Sequence, residues 1–159
     1  MRQRGCVKDA SPFCDLEVPR SRGFDEIVVG EQVSVQRTLT AADIQRFSVR
    51  SGDVEPAGLD AAFAVATPFR DVVAYGMWAD ALISAVLETR LPGPGTVSLS
   101  QTLEFLAPVR IADTLTVTVS VTARDESEHG LTLHCECANA AGTVVISGVA
   151  IVRAPACSI

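Results

Sequence analysis

Several features that restrict function are scarce or missing in this chain of 159 residues. Its five cysteines include no CxxC pair, which argues against a disulfide framework. The longest apolar run, within Ala74–Leu87, is interrupted by Asp80 and Ser84 and is too short to cross a bilayer. The N-terminal segment has no apolar centre of the kind that a secretory signal needs. We therefore expect a soluble, cytoplasmic protein with reduced thiols and no membrane contact.

Histidine is also scarce, since the chain contains only His129 and His134. His129 falls in "SEHG", a predicted hairpin tip, and His134 lies in the alternating run "LTLHCECA". Alternation along a strand turns His134 and Glu136 away from Cys135 and Cys137. The sequence "HCEC" is therefore not expected to bind a metal. His134 is expected to point away from the apolar face, and His129 is expected to take no part in the site.

Positive charge is in deficit, with 13 Lys and Arg residues against 19 Asp and Glu residues and a net charge of −6. This balance argues against a nucleic-acid partner that is held by general electrostatics. The length and the 48% apolar content are typical of one globular domain. Residues 1–23 show no periodicity and are predicted to form an N-terminal arm, which leaves residues 24–159 as the domain.

The first half of the chain predicts one strand followed by helices. The segment Ile27–Thr38 is typical of a strand with a turn at Gly30. In "TAADIQRFSVRSG", Thr40 is a candidate helix cap and the helix is expected to end near Gly52. A loop and a short helical turn at Asp60–Ala66 follow.

The longest helical pattern is "GMWADALISAVLETRL", which begins at Gly76. Its polar residues Asp80, Ser84 and Glu88 recur every four positions, so they form one narrow stripe on an otherwise apolar helix. We expect such a helix to be buried over most of its circumference. The prolines of "LPGPG", at Leu91–Gly95, end it.

The second half of the chain predicts four consecutive strands that pair as a meander through short turns such as "NAAG". The runs "TLTVTVSV" and "LTLHCECA" alternate, Thr96–Phe105 comes before them, and the nearly apolar "TVVISGVAIV" is typical of a strand covered on both faces. An antiparallel sheet wrapped around the long helix satisfies this order. The prediction is an α+β domain with the hot-dog fold.

Four segments together resemble the MaoC-like dehydratases, a family that includes the (R)-specific enoyl-CoA hydratases. They are "FSVRSGDVEPAGLDAAFA", "AYGMWADALISAVL", "LPGPGTVSLSQTLEFLAPVRIADTLTVTV" and the closing "GVAIV", and they span roughly Phe24 to Val152. The resemblance implies addition of water to a trans-2-enoyl thioester, or its reverse, without a cofactor. It also implies an acyl-CoA or acyl-carrier-protein thioester as substrate and a homodimer or higher homo-oligomer.

The resemblance also assigns residues to the site. Asp53 matches the catalytic Asp, Pro56 the loop proline, and Ser84 a supporting serine of the helix. Gly76 matches the glycine whose backbone N–H polarises the thioester carbonyl, and Met77 follows it at the substrate. A helix start suits this role because its N–H groups are unpaired and lie at the positive end of the helix dipole.

Three positions depart from the family pattern. Gly58 stands where the family has its catalytic His, Glu55 where it has Asn, and Tyr75 where a His precedes the glycine. Glu55 could form an acid–base pair with Asp53 and Tyr75 could donate its hydroxyl to the carbonyl, but a solvated loop carboxylate and a packed aromatic remain open alternatives.

The basic residues Arg70, Arg90 and Arg110 are candidate phosphate contacts. The three departures leave a second function open, in which a degenerate hot-dog domain binds acyl thioesters or pairs with an active chain. A thioesterase is a more distant alternative, because the fold alone does not determine the reaction.

Overall fold

The computed structural model describes residues 20–54, 60–68, 74 and 76–156. Residues 1–19, most of the predicted N-terminal arm, lie outside this range, so the domain boundary at residue 24 stays a prediction. After a short 3-10 helix at Phe24–Glu26, the α-helices and strands of the described residues are β1 (Gln32–Thr38), α1 (Ala41–Ser51), α2 (Ala61–Val65), α3 (Gly76–Thr89), β2 (Val97–Phe105), β3 (Thr114–Asp125), β4 (Gly130–Asn139) and β5 (Val144–Arg153). Of the helices that the structure describes, none is both long enough and apolar enough to span a membrane.

The five strands form one antiparallel sheet in the order β1-β3-β4-β5-β2. Strands β3, β4 and β5 are the predicted meander, but the expectation that β2 begins it is wrong. The link from Phe105 to Thr114 begins beside β5, where the Leu106 N–H donates to the Val145 carbonyl. It ends beside the residue that follows β1, because the Leu39 N–H donates to the Asp113 carbonyl. The chain thus crosses from the edge strand β2 to β3, which lies beside the other edge strand β1, and β2 pairs with β5.

Helix α1 begins and ends where the sequence predicts. The Thr40 hydroxyl accepts from the Asp43 N–H at 3.2 Å, and the Asp43 carboxylate accepts from the Thr40 N–H at 3.0 Å. This reciprocal capping box satisfies two N–H groups that the helix leaves unpaired. The Thr40 hydroxyl also donates to the Asp43 carboxylate at 2.6 Å, and this bond, together with that from the Thr40 N–H, holds the pKa of Asp43 below its usual value. The helix stops at Gly52, whose φ of 75° is the left-handed conformation that glycine adopts without strain. The conformation at Gly52 therefore fixes the direction of the chain where it continues to Asp53.

Helix α3 packs one face on the inner side of the sheet. Ile83 and Leu87 are completely buried against strands whose inward side chains, such as Val117 and Val119, are also buried. Each such side chain contributes about 1.5–3 kcal/mol when it leaves water. The expectation that α3 is covered over most of its circumference is wrong, because Met77 is 58% exposed and the alanines of the same flank are exposed too.

Strand β5 also differs from its prediction. Its inner side chains, including Ala150 and Val152, are buried as expected, but Val149 and Ile151 on the outer face are each 41% exposed. The almost continuous apolar sequence of β5 therefore does not correspond to burial on both faces in a single chain.

Strand β2 approaches β5 very closely at Gly148. A Cβ atom at this position would lie 2.1 Å from the Thr102 carbonyl oxygen and 2.9 Å from the Leu103 Cα. Only a residue without a side chain fits such an approach between strands.

We expect Gly148→Ala to destabilise the fold by about 1–3 kcal/mol, because the added methyl group forces β2 away from β5. Gly130→Ala is the matched control, since its Cβ would meet the Asp125 Cβ at an ordinary 3.4 Å. Urea unfolding of both variants measures the difference. Equal free energies of unfolding for the two would contradict the close approach.

Candidate active site

A cavity of about 610 Å³ lies between the end of α1, the segment that follows it, and the uncovered flank of α3. Its lining combines apolar residues with three carboxylates and two hydroxyl groups. The described residues that line it are Phe47, Ser51, Asp53, Met77, Asp80, Ala81, Ser84, Ala85 and Glu88. Two residues that the sequence assigned to one site, Asp53 and Ser84, thus share this cavity with Met77.

The backbone at Asp53 is held by the last turn of α1. The Ser51 hydroxyl donates to the Phe47 carbonyl at 2.7 Å and accepts from the Asp53 N–H at 3.2 Å. Together with the glycine turn at Gly52, these bonds hold the backbone at Asp53, which lines the cavity with residues of α3. The side chain is exposed, so water reaches it.

Gly76 is the first residue of α3, and the next residue, Met77, lines the cavity. The N-terminal end of the helix therefore lies beside the cavity and brings its unpaired N–H groups and positive dipole end there. A Cβ atom on residue 76 would lie 3.0 Å from the ring of Phe105, which is tighter than ordinary van der Waals contact. Glycine thus keeps the head of the helix close to the end of β2.

Asp80 is a cavity residue that the sequence analysis placed only in a polar stripe. It is half-buried, one turn beyond Gly76, and its Oδ1 accepts a hydrogen bond from the Gln101 Nε2 at 2.5 Å. Burial raises the pKa of Cys135 to about 11 and that of Cys137 to about 12, and the negative charge of Asp80 adds to both shifts. The four-residue spacing of the polar residues in α3 indicated that Asp80 belongs to a polar stripe. The sequence did not indicate that β2, which carries Gln101, lies beside Asp80.

Negative charge dominates the cavity. Among the described residues that line it there are three carboxylates and no Lys, Arg or His. Arg90 instead lines a separate cavity of about 270 Å³ on the other flank of α3, together with Arg37, and Arg110 is exposed in the link between β2 and β3. The structure therefore does not bring Arg90 or Arg110 into the cavity of Asp53.

Neither histidine lines the cavity. His134 lies on the outer face of the sheet, where its Nε2 is 3.3 Å from the Ser147 Oγ. His129 stacks on the ring of Phe24 with 5.1 Å between the ring centroids. The position of His134 agrees with the strand alternation in the sequence, and His129 lies in the turn between β3 and β4, as its sequence predicts. No group of three potential metal ligands occurs in the described part of the chain.

The remaining predicted site residues, Glu55, Pro56, Gly58, Arg70 and Tyr75, lie outside the described residues, and their roles stay predictions.

Asp60, where the sequence predicts the start of a short helical turn, has a structural role. Its carboxylate caps α2 by accepting from the N–H groups of Ala62 at 2.8 Å and Phe63 at 3.3 Å. Such a cap satisfies N–H groups that a helix start leaves unpaired. Hydrogen bonds at Ser51 and at Asp60 therefore hold the described backbone on either side of residues 55–59.

Comparison with known proteins connects this geometry to a family. The sequence profile of the MaoC like domain matches residues 26–135. The chain is 43% identical over 133 residues to an (R)-specific enoyl-CoA hydratase of Rhodospirillum rubrum, covering 84% of this chain and 92% of the relative. It is 40% identical over 132 residues to a 3-hydroxybutyryl-CoA dehydratase of Methylorubrum extorquens, covering 83% of each.

The fold is shared as well. The structure of an R-hydratase from Pseudomonas aeruginosa in its unliganded form is 36% identical and has a TM-score of 0.85, covering 89% of this chain and 90% of that one. The predicted hot-dog architecture is confirmed by this similarity and by the single antiparallel sheet around α3. The profile match and the relatives together show that the chain belongs to the MaoC-like domain family.

Proposed function

We propose that this chain is an (R)-specific enoyl thioester hydratase, which adds water to a trans-2-enoyl thioester and catalyses the reverse dehydration. The observation that carries the proposal is the cavity that Asp53 lines beside the N-terminal end of α3. The functions named for the relatives at 43% and 40% identity support it.

The chemistry follows from two groups at the cavity, the Gly76 N–H and the Asp53 carboxylate. The thioester carbonyl accepts from the Gly76 N–H, where the helix end stabilises the negative charge that develops on its oxygen. Asp53 takes a proton from water as the water oxygen bonds to the β-carbon, and the α-carbon then gains a proton. Because the elements of water are added without change of redox state, the reaction needs no cofactor.

A non-catalytic acyl-thioester-binding domain is the second candidate. It is favoured by Gly58, which stands where the family has its catalytic His, and by the absence of His129 and His134 from the described lining of the cavity. A missing acid–base group typically lowers a rate by about 10²–10⁴-fold. The two candidates therefore differ in turnover and not in binding.

The hydratase proposal predicts that the purified protein consumes crotonyl-CoA, followed by the loss of the enoyl thioester absorbance. Asp53→Asn should lower kcat by about 10²-fold or more, because the amide cannot take the proton from water. Glu136→Gln, on the outer face of β4, removes the same charge and should retain wild-type turnover.

Each alternative gives a different result in the same assay. Binding of butyryl-CoA without any turnover of crotonyl-CoA would establish the non-catalytic domain. Release of free CoA thiol without a hydrated product would identify a thioesterase.

A homodimer formed along the free edge of β2 is the proposed assembly. Val97, Leu99 and Phe105 of this strand are 52%, 50% and 55% exposed. The other edge strand, β1, carries polar side chains such as Ser34 and Gln36, which pair with threonines of β3. An exposed apolar edge is a template for pairing with another strand, whereas a polar edge is protected. The β2 edge therefore suits a second copy of the chain better than the β1 edge does.

We expect Leu99→Lys to shift the protein from dimer to monomer, because the charge would be buried in the strand pair. Gln36→Lys on the β1 edge is the matched control and should still have the molar mass of a dimer in solution. Light scattering after size-exclusion chromatography gives both masses. A wild-type monomer, or equal masses for the two variants, would contradict pairing along β2.

The cytoplasm is the proposed compartment. The two described cysteines, Cys135 and Cys137, are buried free thiols on one face of β4. Burial raises the pKa of both thiols, which keeps them protonated and unreactive at neutral pH. Thiols that remain unpaired are typical of a reducing compartment.

A further inference from the structure

The hydratase reaction needs a group that orients the attacking water besides the one that takes its proton, and the chain offers no histidine for this. We propose that Asp80, held in place by Gln101, is this second group and binds the nucleophilic water together with Asp53. The inference rests on the proposed hydratase function.

Asp80 and Asp53 reach the cavity from different elements. Asp53 enters from the segment after α1, whereas Asp80 enters from α3. Asp80 follows Gly76 by four residues, so it lies on the same side of the helix about one turn further along. A water between the two carboxylates is therefore next to a carbonyl that is bound at the head of α3.

The position of the Asp80 carboxylate is fixed by the sheet. Gln101 belongs to β2 and is in register with Ala150 of β5, and its amide reaches across to Oδ1 of Asp80 at 2.5 Å. In the described part of the chain, no group donates to Oδ2. A carboxylate that accepts one amide hydrogen keeps acceptor capacity for a water hydrogen at its second oxygen.

The other polar residues of the stripe are less suited to this role. Ser84 lies two turns and Glu88 three turns beyond Gly76, so both are further from a carbonyl at the helix head. Glu88 is also exposed, whereas Asp80 is half-buried. Of the described carboxylates on α3, Asp80 is therefore the nearest to the reacting carbons.

Two carboxylates complete the chemistry without an imidazole. One hydrogen of the water bonds to Asp53 and the other to Asp80, which directs an oxygen lone pair at the β-carbon. As the C–O bond forms, the C=C electron pair moves toward the carbonyl oxygen and Asp53 takes the first proton. The carbonyl then re-forms as the α-carbon takes that proton from Asp53, and Asp80 keeps its hydrogen bond to the new hydroxyl throughout.

The test is the turnover of crotonyl-CoA by Asp80→Asn, which preserves the size of the side chain and an oxygen acceptor for Gln101. We expect kcat to fall about 10²-fold with unchanged thermal unfolding, because the amide no longer offers the acceptor that orients the water. Glu88→Gln removes a charge from the far end of the same cavity, and its kcat should fall by a factor at least tenfold smaller than that of Asp80→Asn. Asp80→Ala provides a second readout, since added formate should restore part of its activity and a structural role would not respond.

The outcomes separate this inference from the proposed function. A wild-type protein that is active, loses turnover in Asp53→Asn and keeps it in Asp80→Asn overturns the role of Asp80 and leaves the hydratase in place. Equal losses in Asp80→Asn and Glu88→Gln also overturn it, because the effect would then belong to the charge of the cavity. An inactive wild-type protein refutes the proposed function, and the role of Asp80 with it.

Discussion

The packing of one face of α3 on the inner side of the sheet is the constraint on which the site depends. Ile83 and Leu87 leave water completely there, and this fixes the rotation of the helix about its axis. With the rotation fixed, the stripe that contains Asp80 and Ser84 must face the uncovered flank, where the cavity lies. The same packing holds Gly76 at the head of the helix, beside the ring of Phe105. The core thus determines where the polar groups of the site stand.

The charge of the cavity is consistent with the reaction that we propose. A neutral enoyl group and a water molecule carry no charge, so they can enter a space lined by Asp53, Asp80 and Glu88. A phosphate group would be repelled there, so the nucleotide end of a CoA thioester must lie outside this cavity. Arg37 and Arg90 line the cavity on the other flank of α3 instead.

Local signals in the sequence predicted local structure well. The Thr40–Asp43 capping box and the stop at Gly52 depend on neighbours within four residues, and the structure has both. The place of β2 could not be predicted, because pairing with β5 depends on Gly148 and on a link whose direction is set by distant hydrogen bonds. For the same reason Asp80 was recognised as polar but not as a partner of Gln101. Strand alternation, in contrast, correctly placed His134 away from the core.

The central claim is that the N–H of Gly76 and the carboxylate of Asp53 act on one bound thioester. A crystal structure of the protein with (R)-3-hydroxybutyryl-CoA tests this most directly, because the ligand reports the positions of the carbonyl and the hydroxyl in one experiment. We predict the carbonyl oxygen at about 2.7–3.1 Å from the Gly76 nitrogen and the 3-hydroxyl within hydrogen-bond distance of Asp53. An acyl group bound instead in the cavity beside Arg90, or a hydroxyl that no carboxylate contacts, would contradict it.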